Sequence, residues 1–189
     1  EEINIGDKGI VFPWIGCQEC ESCQNEKETL CENPKYLGAR LNGGYSDHIM
    51  IPDGKYLVPY GNLDPYQAAP YACSGLTAYS ALKKIPNTNS DEFILVIGAG
   101  GVGCNGILLA PSIHKAKIIA IDIDESKRNE AKKLGAFAAF SPDDKKEILG
   151  LCAGKIVAAI DFVGNEETTN FGINMIKKGG AVVVVGLYG

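Results

Sequence analysis

Phe93-Ile94-Leu95-Val96-Ile97-Gly98-Ala99-Gly100-Gly101-Val102-Gly103 decides the fold of this chain. Five apolar residues in a row, Phe93 to Ile97, fit a strand buried on both faces, as in a parallel sheet covered by helices. The glycines that follow spell G-x-G-x-x-G at Gly98, Gly100 and Gly103. Between a strand and a helix, the first glycine allows the tight turn and the second lets backbone approach a pyrophosphate. The third lets helix and strand pack closely. A helix opening at Gly101 and Val102 would then turn free amides toward the phosphates. The next strand, Lys117 to Ile121, ends at Asp122, 19 residues after Gly103. A carboxylate there can accept both ribose hydroxyls and would repel a 2′-phosphate, which favours NAD over NADP. The rival reading is a Gly-rich turn with an unrelated acidic surface residue.

Downstream the same grammar repeats. A helix from Glu125 to Leu134, a short strand at Ala136 to Phe140 and a helix near Asp143 to Leu149 follow. Then come a strand at Ile156 to Ile160, a helix from Glu166 to Ile176 and a strand at Ala181 to Val185. Apolar strands alternating with helices specify an α/β doubly wound parallel sheet. Pro111 falls inside the helix that begins at Gly101, where it removes an amide donor and clashes with the preceding turn. A kink, or an end near Ala110, is expected.

Residues 1–76 read differently, rich in Gly, Pro and Asn with short strand-like pieces at Lys8 to Phe12, Gly44 to Ile51 and Leu57-Val58. A helix can start at Asp64-Pro65, with Asp as cap and Pro at the first helical position. Another runs from Ser74 toward Lys84. Within this half Cys17, Cys20, Cys23 and Cys31 are spaced C-x2-C-x2-C-x7-C. Four thiolates this close can converge on one tetrahedral Zn²⁺, leaving no open position. Disulfides are one rival, although cysteines three apart are poor partners and seven cysteines leave one over. An iron–sulfur cluster is the other. Its bacterial pattern places the fourth cysteine three residues on and follows it with proline, whereas here the gap is seven and Glu32 follows. Zinc fits the spacing best.

The cysteine spacing within Gly6-Asp7-Lys8-Gly9-Ile10-Val11-Phe12-Pro13-Trp14-Ile15-Gly16-Cys17 resembles the structural-zinc lobe of the zinc-dependent medium-chain alcohol dehydrogenases. Ile118-Ile119-Ala120-Ile121-Asp122-Ile123-Asp124-Glu125-Ser126-Lys127 is similar to the second strand and turn of the same enzymes. The resemblance implies a Rossmann sheet with five of its six strands, spanning residues 77–189. Part of a GroES-like β-domain, with its zinc lobe at 17–31, would precede it over residues 1–76. It makes Cys17, Cys20, Cys23 and Cys31 structural ligands and Asp122 the adenosine-ribose acceptor. Lys127, on bare sequence a solvated helix residue, becomes its assistant. Asp161-Phe162-Val163-Gly164 and Val185-Gly186-Leu187 match segments that flank the nicotinamide.

Tyr71-Ala72-Cys73-Ser74-Gly75-Leu76-Thr77 resembles the segment carrying that family's third catalytic-zinc ligand, which assigns Cys73 that role and sets Thr77 against the nicotinamide. Without the resemblance, Cys73 would be a small buried thiol. The other two ligands, a Cys and a His, belong to a segment upstream of Glu1, as does the proton-relay hydroxyl. The resemblance therefore implies an internal piece of a longer protein. His48 reads as a half-buried strand residue and His114 as a solvated helix end, and neither fits a ligand position. Trp14 either borders the substrate cleft, as an aromatic does in related enzymes, or simply packs the lobe.

The expected whole protein transfers a hydride between an alcohol, aldehyde or ketone and NAD, with zinc polarising the substrate oxygen. The chain alone, with Cys73 as single ligand, is expected to be inactive. Two alternatives stand beside it. One is a non-catalytic module that binds zinc and dinucleotide, and the other a zinc-independent quinone-type reductase of the same superfamily. A net charge of −5 supplies no basic field for nucleic acid, and no apolar run is long enough for a membrane span. The odd cysteine count favours a reducing, cytoplasmic setting. The strand at Ala181 to Val185 would present an unpaired edge, and homo-oligomers are expected.

Overall fold

The computed structural model describes residues 3–187. The chain divides into two compact units between Ala72 and Cys73.

In the first unit, β1 (Ile10–Val11) pairs antiparallel with β2 (Leu57–Val58). The Phe12 amide extends the pairing to the Tyr56 carbonyl at 2.8 Å. Gly9 is needed at this seam, because a Cβ on it would lie 2.7 Å from Leu57 Cγ. Between these strands sits a lobe with one short helix, α1 (Glu21–Gln24), and a 3₁₀ turn at Glu28–Leu30. The helix α2 (Pro65–Ala68) opens as its sequence requires, the Asp64 carboxylate accepting from the Tyr66 and Gln67 amides with Pro65 at the first position. The α-helix ends at Ala68, ahead of Pro70, and a 3₁₀ turn follows from Ala69 to Ala72. The segment Gly44 to Ile51 is not a strand, and His48 within it is exposed rather than half-buried. Its alternation of side chains finds no neighbouring strand among the described residues, and without a ladder a strand does not form.

The second unit is one parallel sheet of β3 (Phe93–Ile97), β4 (Lys117–Ile121), β5 (Ala138–Phe140), β6 (Ile156–Asp161) and β7 (Ala181–Val184) in the order β5-β4-β3-β6-β7. Every residue of β3 is buried, the signature of a central strand covered on both faces. One face packs Ile94, Val96, Ile118 and Ile160 against Leu82 and Ile107, which lie on α3 (Ser74–Leu82) and α4 (Gly101–Ile113). The opposite face packs Leu95, Ile97, Ile119 and Ile121 against α6 (Lys145–Cys152) and α7 (Glu166–Met175). The remaining helix, α5 (Glu125–Lys133), is capped by the Asp124 side chain on the Ser126 amide and carries Lys132 and Lys133 in its last turn, which suits the helix dipole. Chain order reverses at β3, leaving a crevice at the carboxyl ends of the strands between its two crossovers.

Two expectations are corrected here. The helix α4 does not end near Ala110; it continues through Pro111 to Ile113. Pro111 lies exposed in the last turn and costs only its own amide bond, while the His114 amide still reaches the Ala110 carbonyl at 2.8 Å. His114 is not solvated either. It is 7% exposed, and its Nε2 stands 2.9 Å from the Leu82 carbonyl, tying the ends of α3 and α4 together.

Candidate functional site

The turn between β3 and α4 explains each of its glycines separately. Gly98 holds φ +87, and a Cβ there would lie 2.7 Å from Val163 Cγ2. A Cβ on Gly103 would come within 1.9 Å of the Gly98 carbonyl oxygen, so only hydrogen allows α4 to approach the strand. Gly100 and Gly101 differ: a Cβ on either would meet nothing within 4 Å. The protein itself does not demand glycine at these two positions. The open space lies at the amino end of a 13-residue helix, where free amides face outward. A pyrophosphate fits that description.

Asp122 stands at the end of β4, 9% exposed. Its Oδ2 accepts from the Ala99 amide at 2.8 Å and its Oδ1 from the Asp124 amide at 2.9 Å. Each oxygen keeps a further lone pair, so the carboxylate can also accept ribose hydroxyls. Arg128 braces the turn, donating from Nη1 to the Asp122 and Ile123 carbonyls at 2.8 Å each. Lys127 is exposed on α5. A cleft of about 520 Å³ opens here, lined among others by Gly98, Asp122, Ile123, Val163, Asn165 and Phe171. It occupies the crevice at the strand ends and is large enough for the adenosine half of a dinucleotide.

Across the crevice, the segment after β6 and the segment after β7 touch backbone to backbone. A Cβ on Gly164, which holds φ +79, would lie 2.0 Å from the Gly186 oxygen. One on Gly186 would lie 2.1 Å from the Val163 oxygen. Val163, Val185, Gly186 and Leu187 are thus brought together at one end of the sheet. The anchor of this pair is Asp161, a buried acid at the end of β6 that the sequence reading quotes within its segment but gives no role of its own.

Cys73 precedes α3 and is exposed rather than buried, so its thiol is available. Thr77 lies one turn on, its amide bonded to the Cys73 carbonyl at 2.9 Å. Asn105 links this turn to the glycine turn: its Nδ2 donates to the Gly101 carbonyl at 2.9 Å and stands 3.3 Å from Ser74 Oγ. Asn105 is the second residue that sequence reasoning misses. Only its place two residues after Gly103 hints at a role.

The first unit carries a separate centre. The sulfurs of Cys17, Cys20, Cys23 and Cys31 all lie within 4.8 Å of one another. The Cys17–Cys23 and Cys20–Cys31 pairs stand at 4.0 and 3.9 Å. A tetrahedron of thiolates on Zn²⁺ needs edges of about 3.8 Å. All four cysteines are free, so the disulfide alternative is excluded. Amides aim at the sulfurs: Cys17 N on Cys31 Sγ at 3.1 Å, Cys20 N on Cys17 Sγ at 3.3 Å. Amides of Glu32 and Cys23 bring the Cys20 thiol down to about 6, and those of Glu19 and Cys20 lower that of Cys17. Burial pushes the Cys23 thiol up to about 12, a cost that a divalent cation at the centre offsets. Gly16 makes room for Cys23, since a Cβ on it would lie 2.5 Å from that sulfur. The cluster fits a structural zinc, closed to water and substrate.

Glu28 ties the lobe to the rest of this unit. Its carboxylate accepts from Lys55 Nζ at 2.7 Å, Tyr56 Oη at 2.6 Å, the Gly16 amide at 2.9 Å and Gln18 Nε2 at 2.7 Å. Trp14 is half-buried beside the lobe, its Nε1 donating to the Ala72 carbonyl at 2.9 Å and its ring edge-on to Tyr36 at 5.2 Å. Among the described residues, the four thiolates are the only group of three or more His, Cys, Asp or Glu side chains arranged to hold a metal. No described helix is long and apolar enough to cross a membrane.

Two family models match the chain: an alcohol dehydrogenase GroES-like domain over residues 1–62 and a zinc-binding dehydrogenase domain over residues 101–189. An NAD-dependent alcohol dehydrogenase of Sulfolobus acidocaldarius is 40% identical over 191 residues, covering all of this chain and 55% of its own length. A protein of the same name from Sulfurisphaera tokodaii is 35% identical over 97% of this chain and 54% of its own length. The crystal structure of the alcohol dehydrogenase of Aeropyrum pernix superposes with a TM-score of 0.87 at 27% identity, covering all of this chain and 57% of that one. The chain thus spans about half the length of the curated relatives it matches. With a Rossmann sheet, a glycine turn after β3, Asp122 at the end of β4 and a four-cysteine lobe in place, the chain belongs to the zinc-dependent medium-chain alcohol dehydrogenase family.

Proposed function

We propose that the whole protein is an NAD-dependent zinc alcohol dehydrogenase, moving a hydride between a small alcohol and NAD. The observation that carries this reading is the Asp122 carboxylate, set at the end of β4 beside a glycine turn whose Gly100 and Gly101 leave open space. Gly98, Gly100, Gly101, Val102 and Gly103 would hold the pyrophosphate, and Asp122, assisted by Lys127, the adenosine ribose. Val163, Val185, Gly186 and Leu187 would flank the nicotinamide, with Thr77 on its other side. Cys73 would serve as one ligand of a catalytic zinc, and Trp14 would border the substrate. Bound NAD supplies the hydride acceptor and bound zinc the Lewis acidity that polarises the substrate oxygen.

A second reading applies to the chain taken alone. A catalytic zinc needs three protein ligands, and Cys73 belongs to no group of three such side chains among the described residues. By itself this chain is therefore a zinc- and dinucleotide-binding module without alcohol oxidation. A zinc-independent quinone-type reductase of the superfamily is disfavoured by the four-cysteine lobe and by the exposed Cys73. The free cysteines support a reducing, cytoplasmic setting. Self-association into homo-oligomers belongs to the same reading of the whole protein.

Titrating the chain with NADH and NADPH, following nicotinamide fluorescence, tests the cofactor reading. NADH should bind at least about tenfold more tightly, because Asp122 repels the 2′-phosphate. Equal binding, or none, overturns it. Turnover of short alcohols with NAD tests the second reading, and robust activity overturns that.

A further inference from the structure

Asp161 is fully buried, yet it carries a carboxylate at the carboxyl end of β6. Burying a charge is costly unless its lone pairs are filled, and here they are. Oδ1 accepts from the Val163 and Gly164 amides at 3.0 Å each. Oδ2 accepts from the Thr168 and Thr169 hydroxyls at 2.8 Å each. None of these four donors is a cation. The two threonines lie in the first turns of α7, a ten-residue helix whose positive end favours an anion. The main-chain oxygen of the same residue accepts from the Val185 amide at 2.8 Å and the Gly186 amide at 3.1 Å. One residue therefore holds two segments, the first by its side chain and the second by its backbone.

Those segments have little room to adjust. Gly164 and Gly186 meet with no side chain between them, and Val163 Cγ2 covers the face of Gly98. A displacement of the Val163–Gly164 turn would thus be felt both at Gly186 and at the glycine turn. For stability alone an apolar residue would serve at this depth as well as a charge. Orienting two consecutive amides is something only an acceptor can do.

We propose that Asp161 is the positioning residue for the nicotinamide half of the cofactor, fixing the spacing between Val163–Gly164 and Val185–Leu187. This rests on the dinucleotide reading above. The adenosine half, held at Asp122 on the other side of β3, should be indifferent to it.

The test compares NADH with ADP, which carries only the adenosine and pyrophosphate half, by calorimetric titration of the wild-type chain and variants. Asp161→Ala should weaken NADH about tenfold and leave ADP within about twofold, since buried amides lose a charged acceptor. Asp161→Asn should recover most of the loss. Its amide oxygen can face Val163 and Gly164 while its NH₂ donates to the threonine hydroxyls. If Asp161→Ala does not fold, Thr169→Val, which removes a single donor without changing shape, should weaken NADH about threefold against unchanged ADP. Equal losses for NADH and ADP, or no loss for either, in a folded variant overturn the assignment. A wild-type chain that binds neither ligand overturns the dinucleotide reading as well.

Discussion

The Gly103 Cα hydrogen points at the carbonyl oxygen of Gly98, and a methyl in its place would sit 1.9 Å from that oxygen. Both atoms belong to backbone, one at the start of α4 and one at the end of β3, so neither can rotate away. Gly103→Ala should destabilise the second unit by about 2–4 kcal/mol and abolish NADH binding. Gly100→Ala separates the two effects. Its methyl meets no protein atom within 4 Å, so thermal unfolding should stay put while NADH binding weakens. Melting curves and NADH titrations of the two variants check this pair.

Asp122 should decide which dinucleotide enters. Asp122→Asn removes the charge that repels a 2′-phosphate but keeps an oxygen for the Ala99 or Asp124 amide. The NADH-to-NADPH affinity ratio should fall by about tenfold or more, chiefly through tighter NADPH. Fluorescence titration with both nucleotides reads it directly, and an unchanged ratio would place the ribose elsewhere.

These residues were legible because local chemistry dictates them. A five-residue apolar run, a glycine motif and an acid at the next strand end demand little from the rest of the chain. Residues whose role depends on distant partners were hidden. Asp161 continues an apolar strand like any terminal residue, and only the fold brings Thr168, Thr169 and the β7 segment around it. His114 follows Pro-Ser-Ile and precedes two lysines within three residues, which reads as surface until its Nε2 is found against the Leu82 carbonyl. Gly44 to Ile51 failed in the opposite direction. Its alternation is strand-like, but alternation specifies a strand only where a neighbour supplies the ladder.

Glu28 should make the first unit sensitive to acid. Burial works against its charge, but the Lys55 ammonium, the Tyr56 hydroxyl, the Gly16 amide and Gln18 outweigh it and hold the carboxyl down at about 2. A folded-state value below the unfolded one means stability present above about pH 4.3 and lost as pH falls through 2. Glu28→Gln should therefore be less stable than wild type at neutral pH, with the gap narrowing between about pH 4 and pH 2. Denaturant titrations of both proteins across that range give the measurement. A gap that does not depend on pH would mean the carboxylate is not ionised in the fold.

Removing zinc should unfold the lobe. Residues 17–31 bury only Cys23 and Cys31, so no apolar core holds the loop once the thiolates lose their common ligand. Left without metal, Cys23 would revert to a buried thiol, while Cys20, brought down to about 6 by backbone amides, would carry unbalanced charge. Trp14 is the one tryptophan of the chain and packs on Tyr36 in this same unit, so its emission reports the change. Chelation of the zinc-loaded protein should release about one zinc per chain and shift Trp14 emission to the red as the ring meets water. Cys31→Ser, which replaces a thiolate with a poor zinc ligand, should give the same red-shifted spectrum without chelator. Zinc release with unchanged Trp14 emission would mean that the Glu28 network, not the metal, holds the lobe in place.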